Sequence, residues 1–352
     1  MQATGREKLL GALALIGCVF CWGVVPVILR QLAPVINAWT ANGIRYPLAA
    51  LCYWPVLWWF YRRHEVDGTL LKRSLVPALF AWLGQVFWGL APYYLPASAI
   101  GFYVRFSMVA ALGAAMLLFR DERRLLVTPR FYVGLLLVVG GFLWFSMVQE
   151  VDSTHAAATR HWQGFLIMLA CSLFFGFYGV SVRYALSDVN PILGFAVVSQ
   201  FVSVGTITTM LLWGDMERLP ALNSTDWFRV ASSTLLGISF GHILMYYSVK
   251  RLGASITSSV QTLTPFVTAV IALWVLGEVM TADQWAGGIV MVVGALVLIV
   301  TQPKKHRPPR PEAAHCQDDA AAAPLEVGVG SLAVADEDPA TLPSCYNGRS
   351  IE

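Results

Sequence analysis

The sequence predicts an all-α integral membrane protein, with ten transmembrane helices arranged as two inverted five-helix repeats. Three observations carry this expectation. Of 352 residues, 57% are hydrophobic and 13% charged, with a mean hydropathy of +0.62, whereas a soluble domain carries about 25% charged residues. Apolar runs of about 20 residues, enough for a helix to cross a ~30 Å hydrocarbon core, recur along the chain. The first half of the chain also recurs in the second.

The first run, 9–29, follows Arg6 and Lys8; it is too long for a secretory signal and lacks an A-x-A-like cleavage site. The second, 36–60, lies between Arg30 and the Arg62-Arg63 pair, with Trp54, Trp58 and Trp59 near one end as an interfacial belt requires. The third, 74–94, starts after Lys72 and Arg73 and ends at Tyr93 and Tyr94; the fourth, 97–119, stops before Arg120. The fifth, 131–149, follows Arg130, and the sixth and seventh, 163–185 and 191–213, flank a short polar connection. The last three are 229–249, 253–277 and 284–302. Beyond Gln302 come Lys304, Lys305, Arg307 and Arg310 and then alanines, prolines and acids with almost no aromatic residue. Such a segment cannot bury enough apolar surface to fold alone. The expected division is a cytoplasmic start at 1–8, five-helix repeats at 9–149 and 163–302, and a disordered cytoplasmic tail at 303–352.

With both termini inside, seventeen Lys and Arg residues up to Arg310 fall in cytoplasmic segments and four, Arg30, Arg160, Arg218 and Arg229, on the other side. Basic residues stay preferentially cytoplasmic, so the ten-span count and this orientation support each other, in a bacterial inner (plasma) membrane. The composition shows no metal-ligand spacing and no basic stripe for nucleic acid, so no metal, cofactor or nucleic-acid partner is expected. The partners expected are the bilayer and a small-molecule substrate. Nothing in the sequence sets an oligomeric state.

The repeat is visible residue by residue. Cys18, Gly23, Val27 and Arg30 align without gaps on Cys171, Gly176, Val180 and Arg183, and Gly11 on Gly164. Ala99 to Glu122 aligns on Ser255 to Glu278, and Gly134 and Gly140 on Gly288 and Gly294. Five spans per half is an odd number, so the second half enters the membrane upside down, as in many secondary transporters. Cys21-Trp22-Gly23, Arg45 in the second span, and Gly277-Glu278 after Pro265 together resemble the EamA-domain family of the drug/metabolite transporter superfamily. The first half departs at Val109, aligned with Pro265, and at Arg120-Asp121 before Glu122. The resemblance implies a ten-helix, exporter-like carrier of small organic metabolites.

The binding groups of a carrier are sought among the polar residues it keeps in the bilayer, where an arginine at mid-depth costs about 2.5–3.5 kcal/mol. Arg45 and Arg105 are both deep, and no Asp or Glu falls inside the ten spans to pair with them. Arg105 aligns on Gln261 and Gln85 on His242, positions that a pseudo-two-fold axis brings to the midplane. Arg105 is expected to bind a substrate carboxylate or phosphate through its fork, with Gln85, Gln261 and His242 adding polar contacts. Arg45 is read either as a second such group or as a structural arginine held by backbone carbonyls. Thr257, Ser258, Gln261, Thr264, Pro265 and Thr268 form a polar stripe at helical spacing, either a water-lined path or interhelical packing. Pro265 frees a carbonyl that needs a partner. Trp22 and Tyr178 are candidates for the apolar wall, and Tyr246 shares a face with His242. His242 is the one span residue whose ordinary pKa lies near neutrality, which makes it the candidate for proton coupling.

Catalysis is not expected, and the site has no catalytic residues. Gly237-Ile-Ser-Phe-Gly241 spells G-x-S-x-G with His242 next to it, so an intramembrane enzyme using Ser239 and His242 is the rival from another class. That motif acts only on a strand-to-helix turn with an acid at hand. Cys18 and Cys21 form a C-x-x-C without further ligands or a redox setting. Amino acids or other carboxylate-bearing compounds are the first substrate expectation, with nucleotide sugars or other phosphorylated metabolites as the alternative.

Overall fold

The structure, a computed structural model, describes residues 5–148 and 155–301. The expected tail at 303–352 and the first residues of the chain lie outside them. Fourteen α-helices are formed: α1 (Gly5–Leu32), α2 (Ala38–Cys52), α3 (Trp54–Tyr61), α4 (Gly68–Leu90), α5 (Ala97–Tyr103), α6 (Ser107–Leu118), α7 (Pro129–Met147), α8 (His155–Ala185), α9 (Pro191–Trp213), α10 (Ser224–Thr234), α11 (Gly241–Leu252), α12 (Ala254–Gln261), α13 (Thr264–Leu276) and α14 (Ala282–Thr301). Among the described residues there is no strand, and nine helical stretches are long and apolar enough to cross a membrane. The expected second span, 36–60, is missing from those nine because it is two helices. Pro55 has no N–H to offer the Leu51 carbonyl, and it disfavours a helical residue before it. The chain therefore breaks at Tyr53, whose own N–H turns back to Ala50 and Leu51.

Three other spans are interrupted near their middles. The fourth expected span is α5 and α6 joined by a 3₁₀ turn, Val104–Phe106, and the Tyr103 carbonyl there accepts from Ser172 Oγ at 3.0 Å. The eighth is α10 and α11 joined by a π turn, Leu235–Phe240. The ninth is α12 and α13, broken before Pro265. The carbonyl that this proline frees, Gln261 O, accepts from the Thr264 hydroxyl at 2.7 Å. The carbonyls freed at these breaks thus find donors within the protein, local at Pro265 and from another helix at Tyr103, as the absence of water in hydrocarbon demands.

Packing is built on glycines. Gly11 and Gly23 of α1 lie against Arg251-Leu252 and Val267-Thr268, while Gly164 and Gly176 of α8 lie against Leu95 and Ala110-Ala111. These are the aligned residues of the two halves, so each half offers the other the same contacts. Gly141 of α7 lies against the backbone of Met291 and Gly287 in α14, which brings these two helices into close contact. Large apolar side chains such as Leu117, Leu136, Trp274 and Val300 remain exposed on the periphery, where acyl chains would cover them. The polar ends carry few ion pairs. Arg73 of α4 binds Asp188 and the Ala185 carbonyl, and its guanidinium holds the Asp188 carboxyl below its ordinary value.

Candidate functional site

A cavity of about 310 Å³ sits where the interrupted helices meet. Its wall takes Trp22, Arg45, Gln85, Arg105, Tyr178, His242 and Thr264 from the sequence-predicted residues. Gln261 and Tyr246 are not in the lining. Gln261 turns to α1, with its amide 3.7 Å from Cys18 Sγ, and Tyr246 packs behind His242 with ring centroids 6.4 Å apart. Of the expected polar stripe, only Thr264 and Thr268 reach the cavity. Thr257, Thr264 and Thr268 spend their hydroxyls on carbonyls three or four residues back in their own span. That use makes them packing residues first.

The two arginines differ in their surroundings. Arg45 is 1% exposed; it donates to Asn42 Oδ1 at 3.2 Å and to the Ser233 carbonyl at 3.3 Å. Asn42 in turn donates to the Gln85 carbonyl at 2.8 Å, tying α2 to α4. This is an arginine held by neutral acceptors, the structural alternative for that residue. Arg105 stands in the 3₁₀ turn between α5 and α6, half-buried. Its Nε, like that of Arg45, is buried without a hydrogen-bond partner, but unlike Arg45 it makes no hydrogen bond through its other nitrogens and no ion pair among the described residues. A guanidinium with five donors and no acceptor in the protein stands at the edge of a space large enough for a small molecule.

The π turn supplies Gly237 and Ile238 to the wall, with His242 just after it. A π turn leaves carbonyls displaced from the α pattern, and here they collect donors from three other helices. Trp22 Nε1 donates to the Gly237 carbonyl at 3.1 Å, and the Tyr53 hydroxyl lies 3.3 Å from Ile238 O and 3.0 Å from Ser239 O. His242 Nδ1 lies 3.0 Å from Ile238 O; a carbonyl only accepts, so in the neutral ring the proton sits on Nδ1 and Nε2 keeps its lone pair. The imidazole is stacked on Phe195 with centroids 4.1 Å apart and meets Trp22 edge-on at 5.3 Å. Gly237 and Gly241, the glycines of G-x-S-x-G, are where Val25 and Trp22 press on the turn. Ser239 Oγ is buried without any partner and so has no base in place.

The sequence reading missed Tyr46, Trp88, Ser107, Phe195 and Ser199 of the wall. Phe195 and Ser199 fall one helical turn apart on α9, a span whose apolar residues form no single face that would mark the inner one. Aromatic groups make up much of the wall, and its two cations are Arg45, held by neutral acceptors, and Arg105, which has no partner among the described residues.

The sequence profile of the EamA-like transporter family matches residues 9–147 and 162–300, one match per half. An uncharacterized transporter of Haemophilus influenzae is 20% identical over 215 residues, which is 60% of this chain and 69% of the relative. A solved chain, described only as the crystal structure of a protein, superposes with a TM-score of 0.52 at 14% identity, covering 84% of this chain and 96% of its own. That likeness is one of fold.

Proposed function

The chain belongs to the EamA-like transporter family, and from that premise we propose that it is a secondary carrier that exports small organic anions, amino acids or other carboxylates, by alternating access. Its ten spans form two inverted five-helix repeats, 9–149 and 163–302, with both termini and the tail in the cytoplasm of a bacterium and the core in its inner membrane. The matching glycine contacts of the two halves and the charge asymmetry of the connections support this arrangement, with the broken pair α2–α3 counted as one span.

The observation that carries the substrate class is Arg105. Among the described residues the cavity wall contains no carboxylate, so the charge that balances this arginine is best supplied by the cargo. A bidentate carboxylate at the guanidinium, the Gln85 amide beside it, and an apolar body against Trp22, Tyr178 and Phe195 would fill the space. The volume of about 310 Å³ lies at the low end for ligand sites, which favours a small metabolite over a nucleotide sugar. Coupling to protons would fall to His242, since no other titratable carboxylate or imidazole lines the wall.

The test is thermal unfolding of the purified protein in mild detergent against small molecules sorted by charge. A ligand at 100 times its Kd raises stability by about 2.7 kcal/mol. A carboxylate-bearing compound is expected to give such a shift in the wild type and none in Arg105→Gln. A shift that survives the substitution would make Arg105 structural and direct the search to neutral or cationic cargo. In vesicles, His242→Gln is expected to flatten the pH dependence of transport; an unchanged profile would exclude proton coupling through this residue.

A further inference from the structure

The two ends of the helix pair formed by the fourth and ninth spans differ in their contacts, although the residues at them are equivalents in the repeat. At one end Glu278, just past α13, accepts from the Ala97 and Ser98 amides at 2.9 and 3.0 Å and from Ser98 Oγ at 2.9 Å. A carboxylate on the first amides of α5 neutralises the positive end of that span. Beside it Arg30 donates to the Pro92 carbonyl and Tyr93 to the Ile36 carbonyl. The helices below are in close contact: Gly101 of α5 meets Pro265 and Thr268 of α13, at 3.2–3.3 Å from an added Cβ.

At the other end the aligned residues are Glu122 and Arg183, equivalents of Glu278 and Arg30. Neither makes the counterpart contact. Arg183 Nη1 lies 2.5 Å from Glu122 Oε1, and its guanidinium sits over the Phe119 ring, 4.3 Å from the centroid. At the first end α5 packs on α13, whereas at this end α6 and α12, their continuations, are not packed on one another among the described residues. At one face the glutamate bridges the halves by capping α5 while the arginine binds a carbonyl of its own half; at the other the glutamate and arginine bridge the halves by pairing with each other, and the start of α12 is left uncapped by Glu122.

We infer that Glu278 and Glu122 are paired gating residues, each closing one membrane face by capping the first amides of the fourth or ninth span, and that Arg183 holds Glu122 off its target in the state described. The inference rests on the alternating-access reading. When the Glu122 face closes, Glu122 leaves Arg183 for the start of α12 at 253–255, the aligned counterpart of 97–99, and Glu278 releases Ala97 and Ser98.

The test uses spin labels at positions 117 and 256, both exposed and near the Glu122 face on α6 and α12, in the full chain in lipid nanodiscs, with Cys52, Cys316 and Cys345 replaced by Ser. Glu278→Gln and Arg183→Gln are expected to shift the distance distribution towards short separations, and Glu122→Gln towards long ones. The double substitution Arg183→Gln with Glu122→Gln is expected to cancel the shift of the first. Should Glu278→Gln fail to assemble, the Arg183 series carries the same signs. Two populations that ignore Glu122, or shifts of one sign for both glutamates, would overturn the gate and leave alternating access standing. A single distance that no variant moves would overturn both.

Discussion

Arg45 and Arg105 begin with the same sequence description, a basic residue deep in an apolar run, and end in different surroundings. Arg45 has Asn42 one turn back and the Ser233 carbonyl across from it. Arg45→Gln should therefore lower stability by about 1–3 kcal/mol, the cost of leaving buried polar groups unpaired, in unfolding measured without ligand. Arg105→Gln severs no hydrogen bond and removes an unpaired cation, so unliganded stability should hold or rise. Equal losses in the two variants would contradict this division. Tyr53→Phe tests the carbonyls of the π turn. One hydroxyl serves Ile238 and Ser239, and its loss should cost about 0.6–1.7 kcal/mol, the range for interhelical bonds in a bilayer. The candidates that line the cavity share a legible signal, polarity or aromaticity at mid-span. Gln261 carries the same signal and faces Cys18 instead, because the break before Pro265 turns α12 relative to α13.

At the scale of elements, the interruptions decide the architecture. Pro265 marks one of them in the sequence; the break beside Pro55 falls in a span expected to be single, and Pro26, Pro47 and Pro77 stand inside continuous helices, so a proline alone does not mark a break. The 3₁₀ turn at Val104–Phe106 and the π turn at Leu235–Phe240 have no proline; they depend on donors from other helices, Ser172, Trp22 and Tyr53, which no local pattern reveals. The packing of α7 on α14 rests on Gly141, Gly287 and Gly294. At Gly141 an added Cβ would lie 2.6 Å from the Met291 amide nitrogen and 2.8 Å from the Gly287 carbonyl. Gly141→Leu should separate the helices at an overpacking cost of about 1–3 kcal/mol, read as a lower melting temperature. The short connection between α8 and α9 offers a pH test. Arg73 depresses the Asp188 carboxyl, so this pair adds stability above the ordinary carboxylate range and loses it as pH falls through the depressed value. The small difference in melting temperature between wild type and Asp188→Asn should close below about pH 4.

For the molecule as a whole, hydropathy made the membrane class and nine of the expected spans readable among the described residues, and residues at fixed offsets made the repetition of the two halves readable. The cavity was only partly readable, because Tyr46, Phe195 and Ser199 reach it through the tilt and register of whole helices. Orientation has a built-in probe: Cys316 and Cys345 in the tail should react with a membrane-impermeant maleimide in opened cells and not in intact ones. Reaction in intact cells would reverse the proposed orientation. The paired glycine contacts, Gly11 with Gly164 and Gly23 with Gly176, have a consequence for ancestry. Each half presents to the other the surface that the other presents to it, which is the isologous relation of a two-fold dimer. On the inverted-repeat arrangement proposed above, an ancestral polypeptide of half this length, inserted in both orientations, would have found its own mate before any gene fusion joined the copies. The present chain should keep that capacity, so that residues 1–154 and 155–352, made as two polypeptides in one cell, reassemble without the peptide bond between them.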